Sequence, residues 1–414
     1  MAMIYNTNMK AGLLGEHLSH SFSPRIHAQL ADYTYDLVEV APNDLEAFVK
    51  SETLDAYNVT IPYKKAIMPY LDEITPVAQR IGAVNTVLRR KDSTLIGHNT
   101  DVAGFRDLVD SLGVSLTGKK VLVLGSGGAS RTAVVVASDA GAREVVVISR
   151  NGENNYENID RHQDAEVLIN ATPVGMYPNN GNAPLSLDTL PHLEAVFDMI
   201  YNPARTKLLQ DAAARGIPQC NGLLMLVSQA RRAAEFFLDA QIEDSEVERI
   251  TKALTRETEN IVLVGMPGCG KSTLGRLLAE RLGRRFVDCD AEIEREAGKP
   301  IPQIFQEEGE EAFRALETAV VARLGRESGL VIATGGGVVT RARNIPHLSQ
   351  NGRILFLDTP PDDLPVAGRP LSKQKTPAVL YQERLPLYRA AADVTVAITR
   401  DIEQNMKKIE EALQ

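Results

Sequence analysis

Two glycine-rich turns constrain this 414-residue chain more than any other feature, because each follows a short apolar run and opens a helical pattern. The first run, Val121–Gly125, leads into Gly125, Gly127, Gly128 and Ala129, with a helix expected through about Ala140. The second, Ile261–Gly265, leads into Gly265, Gly268, Gly270, Lys271, Ser272 and Thr273, with a helix expected over Thr273–Leu282. Glycines at such a corner let backbone N–H groups converge, and the helix start adds partial positive charge, so each turn is suited to phosphate. Further apolar runs at Val145–Ser149, Val167–Asn170, Val331–Thr334 and Ile354–Leu357 read as buried parallel strands. Strands alternating with helices give an α/β fold. At roughly 150 residues per domain the length suggests two or three domains. No period of 20–50 residues recurs, which excludes a solenoid.

Composition narrows the partners. There are 45 basic and 54 acidic residues, a net charge of −9, so nucleic acid is not expected as a main partner. Cys220, Cys269 and Cys289 are too few and too scattered for a disulfide framework, which fits a reducing compartment. The first residues show no signal-peptide pattern, and no apolar run approaches the ~18 residues of a membrane span, so neither is expected.

The second turn has the pattern G-x-x-x-x-G-K-S between strand and helix. In that context Lys271 would reach the β- and γ-phosphates of a nucleoside triphosphate, and the Ser272 hydroxyl would ligate Mg²⁺. Downstream come Asp288 and Asp290, Arg314 with Glu317, Gly335 to Gly337, Arg369-Pro-Leu, and Arg384 four residues before Tyr388. Taken singly these would be a strand end, a turn or a solvated charge. In this order, from Glu259 to about Ile398, they resemble shikimate kinase, a parallel-sheet P-loop NTPase-type fold. The resemblance implies that Arg314, Arg384 and the N–H groups of Gly336 and Gly337 bind the substrate carboxylate. Asp290 would hold ring hydroxyls and accept the proton of the attacking one, Asp288 would stand near Mg²⁺, and Glu317 would fix Arg314. Arg369 would close over the transferred phosphoryl group. The chain departs from the family at residues 359–367, TPPDDLPVA, where a longer arginine-bearing segment is usual.

The first turn is the start of a dinucleotide-binding unit. About twenty residues beyond its glycines stand Ser149, Arg150 and Asn151, and an arginine there suits the 2′-phosphate of NADP. Around it lie Ser21-Phe-Ser23-Pro24 after His20, Asn58-Val-Thr60-Ile-Pro62-Tyr-Lys64, Gly82-Ala-Val-Asn85-Thr86, Gly97-His-Asn99-Thr100-Asp101, Asn170-Ala-Thr172-Pro-Val-Gly175-Met176, Asp198 to Tyr201 and Pro203, and Gly222-Leu-Leu-Met225 to Gln229. Over about Met9 to Thr255 this series resembles shikimate dehydrogenase. The resemblance implies a catalytic pair, Lys64 and Asp101. It places Ser21 and Ser23 on the substrate carboxylate, and Thr60, Asn85 and Gln229 at the ring hydroxyls, with Tyr201 nearby in the substrate site. Met176 and Gly222 fall on the cofactor side. Only nineteen residues separate Arg150 from Asn170, so one helix of the dinucleotide domain is expected to be missing or reduced to a loop.

The expected architecture is α/β: a two-domain dehydrogenase followed by a P-loop kinase domain. Residues 1–105 would bind shikimate, completed by helices at about 236–255, and residues 106–235 would form the Rossmann-like NADP domain. A linker at 256–260 would precede the kinase at 261–414. The resemblance implies NADPH-dependent reduction of 3-dehydroshikimate and MgATP-dependent phosphorylation of shikimate, in the cytoplasm, with NADP(H), ATP and Mg²⁺ as cofactors. A homo-oligomer is left open. The rival is a quinate or shikimate dehydrogenase preferring NAD, fused to a kinase-like domain with weak or no turnover.

Overall fold

The computed structural model describes residues 8–18, 21–364 and 376–413. His20 and Arg369 lie outside the described residues. The chain divides into two compact units. The first comprises residues 1–175, 182–201 and 211–253, and the second residues 176–181, 202–210 and 254–414.

The first unit holds two sheets. One has six strands in the order Thr34–Glu39, Lys10–Gly15, Ala56–Val59, Thr86–Arg89, Leu95–His98, Glu73–Ile74. Its first three strands are parallel, and Thr86–Arg89 runs antiparallel to both neighbours. The other is a five-stranded parallel sheet, ordered Gln219–Cys220, Ala195–Asp198, Val167–Asn170, Lys120–Leu124, Glu144–Ile148. The helix Leu223–Leu238 presents Ala233, Ala234 and Phe237 to Ala11 and Ala56 of the six-stranded sheet. It also packs on the helix Asp101–Ser111. The helix completing the substrate domain therefore begins well before residue 236.

The second unit is built on a five-stranded parallel sheet, ordered Arg285–Asp288, Leu330–Ala333, Asn260–Val264, Gly352–Asp358, Val394–Ala397. The strands Leu330–Ala333 and Asn260–Val264 are buried throughout, as the unbroken apolar runs require.

All six apolar runs are parallel strands. Four stop a residue early, at Ile148 and Ala333 and, before the two glycine turns, at Leu124 and Val264. Gly125 (φ +106°) and Gly265 (φ +151°) turn the chain there in a conformation that a side chain would strain. The helices that follow are Gly128–Asp139 and Lys271–Leu282. Between Arg150 and Asn170 there is no α-helix, only a 3₁₀ stretch, Tyr156–His162, capped by Asn155.

Two expectations about boundaries are corrected. The helix Ser245–Thr258 is followed at once by the strand Asn260–Val264, so Glu259 alone stands where a connection over 256–260 was expected. Residues 176–181 and 202–210 belong to the second unit, not to the dinucleotide domain. Hydrogen bonds explain this. Asn180 Nδ2 donates to Gln350 Oε1 at 2.8 Å, Ala204 N to Asn351 Oδ1 at 2.8 Å, and Arg205 N to the Gln350 carbonyl at 2.8 Å.

Candidate active sites

In the first unit a cavity of about 240 Å³ collects residues of the six-stranded sheet and of the segments that follow strands of the five-stranded one. Ser21, Ser23, Thr60, Lys64, Asn85, Asp101, Tyr201 and Gln229 all line it, and Ala129 and Gly222 reach it from the dinucleotide side. The Lys64 ammonium lies 2.7 Å from an Asp101 carboxylate oxygen, with both side chains largely shielded. Asp101 begins a helix, and its N–H is held by Asn99 Oδ1 at 3.1 Å. Asn85 is 2% exposed and does two things there. Its Nδ2 donates to Asp101 Oδ1 at 2.9 Å, and its Oδ1 accepts from Thr100 N at 2.8 Å. Asp101 is thus fixed by Lys64 on one oxygen and Asn85 on the other.

Ser21 Oγ donates to Ser23 Oγ at 3.1 Å and accepts from Ser23 N at 3.2 Å, at the start of the helix Ser23–Leu30. Tyr201 stands beside Phe22, ring centres 5.3 Å apart, and burial raises its phenol pKa. Asn58, Met199 and Met225 also line the cavity, and the sequence reading assigned none of them a role. Asn58 Oδ1 accepts from Tyr35 Oη at 2.7 Å and its Nδ2 donates to the Asn85 carbonyl at 3.2 Å. Its place in Asn58-Val-Thr60 was the available signal; the two methionines carried none.

At the dinucleotide turn, Gly127 and Gly128 have open space on the side where a Cβ would project. Arg150 follows the strand Glu144–Ile148 and is exposed. Met176, expected beside the cofactor, is exposed and belongs to the second unit.

In the second unit, Lys271 is 7% exposed, and its ammonium donates to the carbonyls of Gly265 and Met266, each at 2.9 Å. The charge is thereby held over the loop formed with Gly268 and Gly270. Ser272 Oγ donates to Asp288 Oδ2 at 2.6 Å, while Asp288 Oδ1 caps the next helix through Asp290 N at 3.0 Å. A hydroxyl and a carboxylate this close form a hard-oxygen pair that fits Mg²⁺, with phosphate oxygens and waters supplying the other ligands. Thr273 follows in the first turn of the helix.

Arg314 and Glu317 are 3% and 1% exposed and form a 2.9 Å ion pair. Burial raises the Glu317 pKa, Arg314 opposes that rise, and the nearby Asp290 charge adds to it. The Arg314 guanidinium lies against the bare Cα of Gly337. Arg384 Nη1 donates to the Gly336 carbonyl at 3.0 Å. Arg314, Arg384, Gly336 and Gly337 are therefore gathered together. Asp290 is exposed on its helix, and its charge acts on Glu317.

Comparison with known proteins gives two family matches. Residues 13–87 match the shikimate dehydrogenase substrate binding domain, and residues 267–414 match shikimate kinase. A shikimate dehydrogenase (NADP(+)) of Clostridium beijerinckii is 35% identical over 269 residues, 60% of this chain and 97% of that protein. Shikimate dehydrogenase 1 from Peptoclostridium difficile aligns with a TM-score of 0.56 at 36% identity, covering 59% of this chain and 97% of that one. The shikimate 5-dehydrogenase of Thermus thermophilus, solved in complex with NADP(H) and shikimate, aligns with a TM-score of 0.55 at 31% identity, covering 59% and 99%. None of the helices among the described residues is long and apolar enough to cross a membrane. The chain belongs to the shikimate dehydrogenase family and carries, over residues 267–414, a shikimate kinase domain.

Proposed function

We propose that the first unit reduces 3-dehydroshikimate to shikimate with NADPH and that the second converts shikimate and MgATP to shikimate 3-phosphate. The observation that carries the reading is the Lys64–Asp101 pair, 2.7 Å apart, in a cavity otherwise lined by hydroxyl and amide groups. A polyhydroxylated ring acid needs such a lining. The Thermus thermophilus relative, solved with NADP(H) and shikimate together, supports both ligands for this unit.

NADPH supplies the hydride. Reduction of the ketone leaves an alkoxide, and the Lys64 ammonium donates the proton it needs. Asp101, 2.7 Å away, holds the ammonium and aims it. Ser21 and Ser23 hold the carboxylate, and Thr60, Asn85, Tyr201 and Gln229 hold the ring. Arg150 would face the 2′-phosphate.

In the second unit, Arg314, Arg384 and the Gly336 and Gly337 amides seat the shikimate carboxylate, with guanidinium groups as planar bidentate donors. Asp290 accepts the proton of the attacking hydroxyl. Ser272 and Asp288 would hold Mg²⁺, which would supply charge neutralisation at the phosphates. Lys271 leaves the loop carbonyls for phosphate oxygens, so catalysis is mostly positioning and charge neutralisation.

The test is to incubate the chain with shikimate and MgATP and look for shikimate 3-phosphate by mass spectrometry, beside NADPH oxidation with 3-dehydroshikimate. Absence of the phosphorylated product with an active dehydrogenase would leave the second unit as a binding module. A second reading, an NAD-preferring quinate or shikimate dehydrogenase, is favoured by Arg150 standing exposed with no other basic residue before Arg161. Faster turnover with NADH than with NADPH would establish it.

A further inference from the structure

Among the described residues of the second unit, Tyr388 is a buried tyrosine whose hydroxyl the mechanism above does not use. Tyr388 is 0% exposed and lies four residues after Arg384 on the helix Pro377–Ala391, so both side chains leave the same face. Both donate to one acceptor, the Gly336 carbonyl: Arg384 through Nη1 at 3.0 Å and Tyr388 through its hydroxyl. The Tyr388 ring is stacked on Phe356, with centres 4.9 Å apart and planes 13° from parallel. The stack fixes where the hydroxyl points. Burial raises the phenol pKa, so the group stays protonated and remains a donor.

The Gly336 carbonyl and the Gly337 N–H belong to one peptide unit. That peptide is trans; among the described residues the cis bonds all precede prolines. In a trans peptide the C=O and N–H point in opposite directions. Whatever holds the carbonyl therefore aims the N–H. Among the described residues the N–H groups of Gly336 and Gly337 donate to no protein acceptor.

We infer that Tyr388 is a positioning residue that holds the Gly336–Gly337 peptide so that the Gly337 N–H faces the substrate carboxylate. The inference rests on the reading of the second unit as a shikimate kinase. Arg384 cannot serve alone, because its guanidinium is expected to engage the carboxylate itself. Once it turns to substrate, the tyrosine is the donor that remains on the carbonyl.

The experiment is Tyr388→Phe in the full chain, which removes the hydroxyl and leaves the ring stack. The KM for shikimate is expected to rise about 5- to 10-fold, the scale of one neutral hydrogen bond. The kcat and the KM for MgATP are expected to stay unchanged. With an analogue whose carboxyl group is replaced by hydrogen, variant and wild type should behave alike, because the aimed N–H then has nothing to bind. A merely structural role would weaken both compounds equally, and that result overturns the inference, as does an unchanged KM for shikimate. Dehydrogenase activity of the same preparation checks that the chain is folded. If the wild-type chain makes no shikimate 3-phosphate, the kinase reading fails separately. Tyr388 is then judged by calorimetric binding of shikimate in a Ser21→Ala, Ser23→Ala background. Affinity lowered about 5- to 10-fold supports the inference, and equal affinity overturns it.

Discussion

Lys64 is the residue on which the proposed reduction turns, and its environment says why. Its ammonium is held by the Asp101 carboxylate, to which Asn85 also donates, while Asn99 accepts from the Asp101 backbone N–H. Lys64→Ala removes the proton donor and leaves Asp101 with its Asn85 bond. Reduction of 3-dehydroshikimate should fall about 10²- to 10⁴-fold, as for loss of a general acid, with little change in NADPH affinity. A rate within tenfold of wild type would remove Lys64 from the mechanism. His27 makes a different prediction. Its ring is fully buried, stacked on Tyr35 with centres 3.9 Å apart, and its Nδ1 pairs with the Tyr33 hydroxyl at 2.6 Å. Burial lowers its pKa to about 3 from 6.5. Below pH 6.5 the unfolded chain takes up a proton that the folded chain refuses. The contribution of neutral His27 is therefore complete above pH 6.5 and is lost as pH falls toward 3, by up to about 1.4 kcal/mol per unit. Urea unfolding at pH 7.5 and 4.5 should show a smaller pH-dependent loss of stability in His27→Asn than in wild type. Parallel losses would rule His27 out.

At the scale of elements, the cavity depends on how closely two helices approach. Gly104, on the helix Asp101–Ser111, faces the helix Leu223–Leu238. A Cβ there would stand 2.8 Å from the Met225 carbonyl oxygen and 3.0 Å from Gln229 Cβ. The Ser228 hydroxyl donates to Asp107 at the same contact. Gly104→Ala should push the helices apart, costing about 1–3 kcal/mol of stability. It should also raise the KM for shikimate in the dehydrogenase direction, because Asp101 and Gln229 stand on the two helices being separated. Thermal unfolding and steady-state kinetics would show both effects, and an unaltered KM would mean that the cavity absorbs the shift. The parallel strands were legible in the sequence because burial on both faces leaves unbroken apolar runs. The strand Thr34–Glu39 was not, since none of its residues is fully buried and its pattern competes with loop. The two-residue strand Glu73–Ile74 is too short for any periodicity. The proposed site residues were nominated by the order of their motifs, and those of the first unit that line one cavity were legible in that order. Asn58 escaped because an asparagine beside a turn has many structural uses, and Met199 and Met225 because an apolar lining looks like core. The boundary was misplaced at 176–181 and 202–210 because loop segments held by amide hydrogen bonds have no hydrophobic pattern to betray the unit they join.

At the scale of the whole molecule, one chain carries two motif sets in which the proposed product of the first is the proposed substrate of the second. Fusion by itself guarantees equal numbers of the two units. It does not require shikimate to pass between them without entering solvent. Lys64→Ala and Lys271→Ala separate the two questions. The first should cut reduction about 10²- to 10⁴-fold and keep phosphorylation. The second should remove the ammonium that the loop holds for phosphate and keep reduction. Mixed in equal amounts, the two variants offer one working copy of each site, but never on the same chain. With 3-dehydroshikimate, NADPH and MgATP, the mixture should form shikimate 3-phosphate with the same lag and steady rate as wild type at matched site concentrations, because shikimate reaches the second site by diffusion. A longer lag in the mixture than in wild type would mean that the intact chain hands shikimate on directly. Loss of both activities in either single variant would mean that the two units do not work independently.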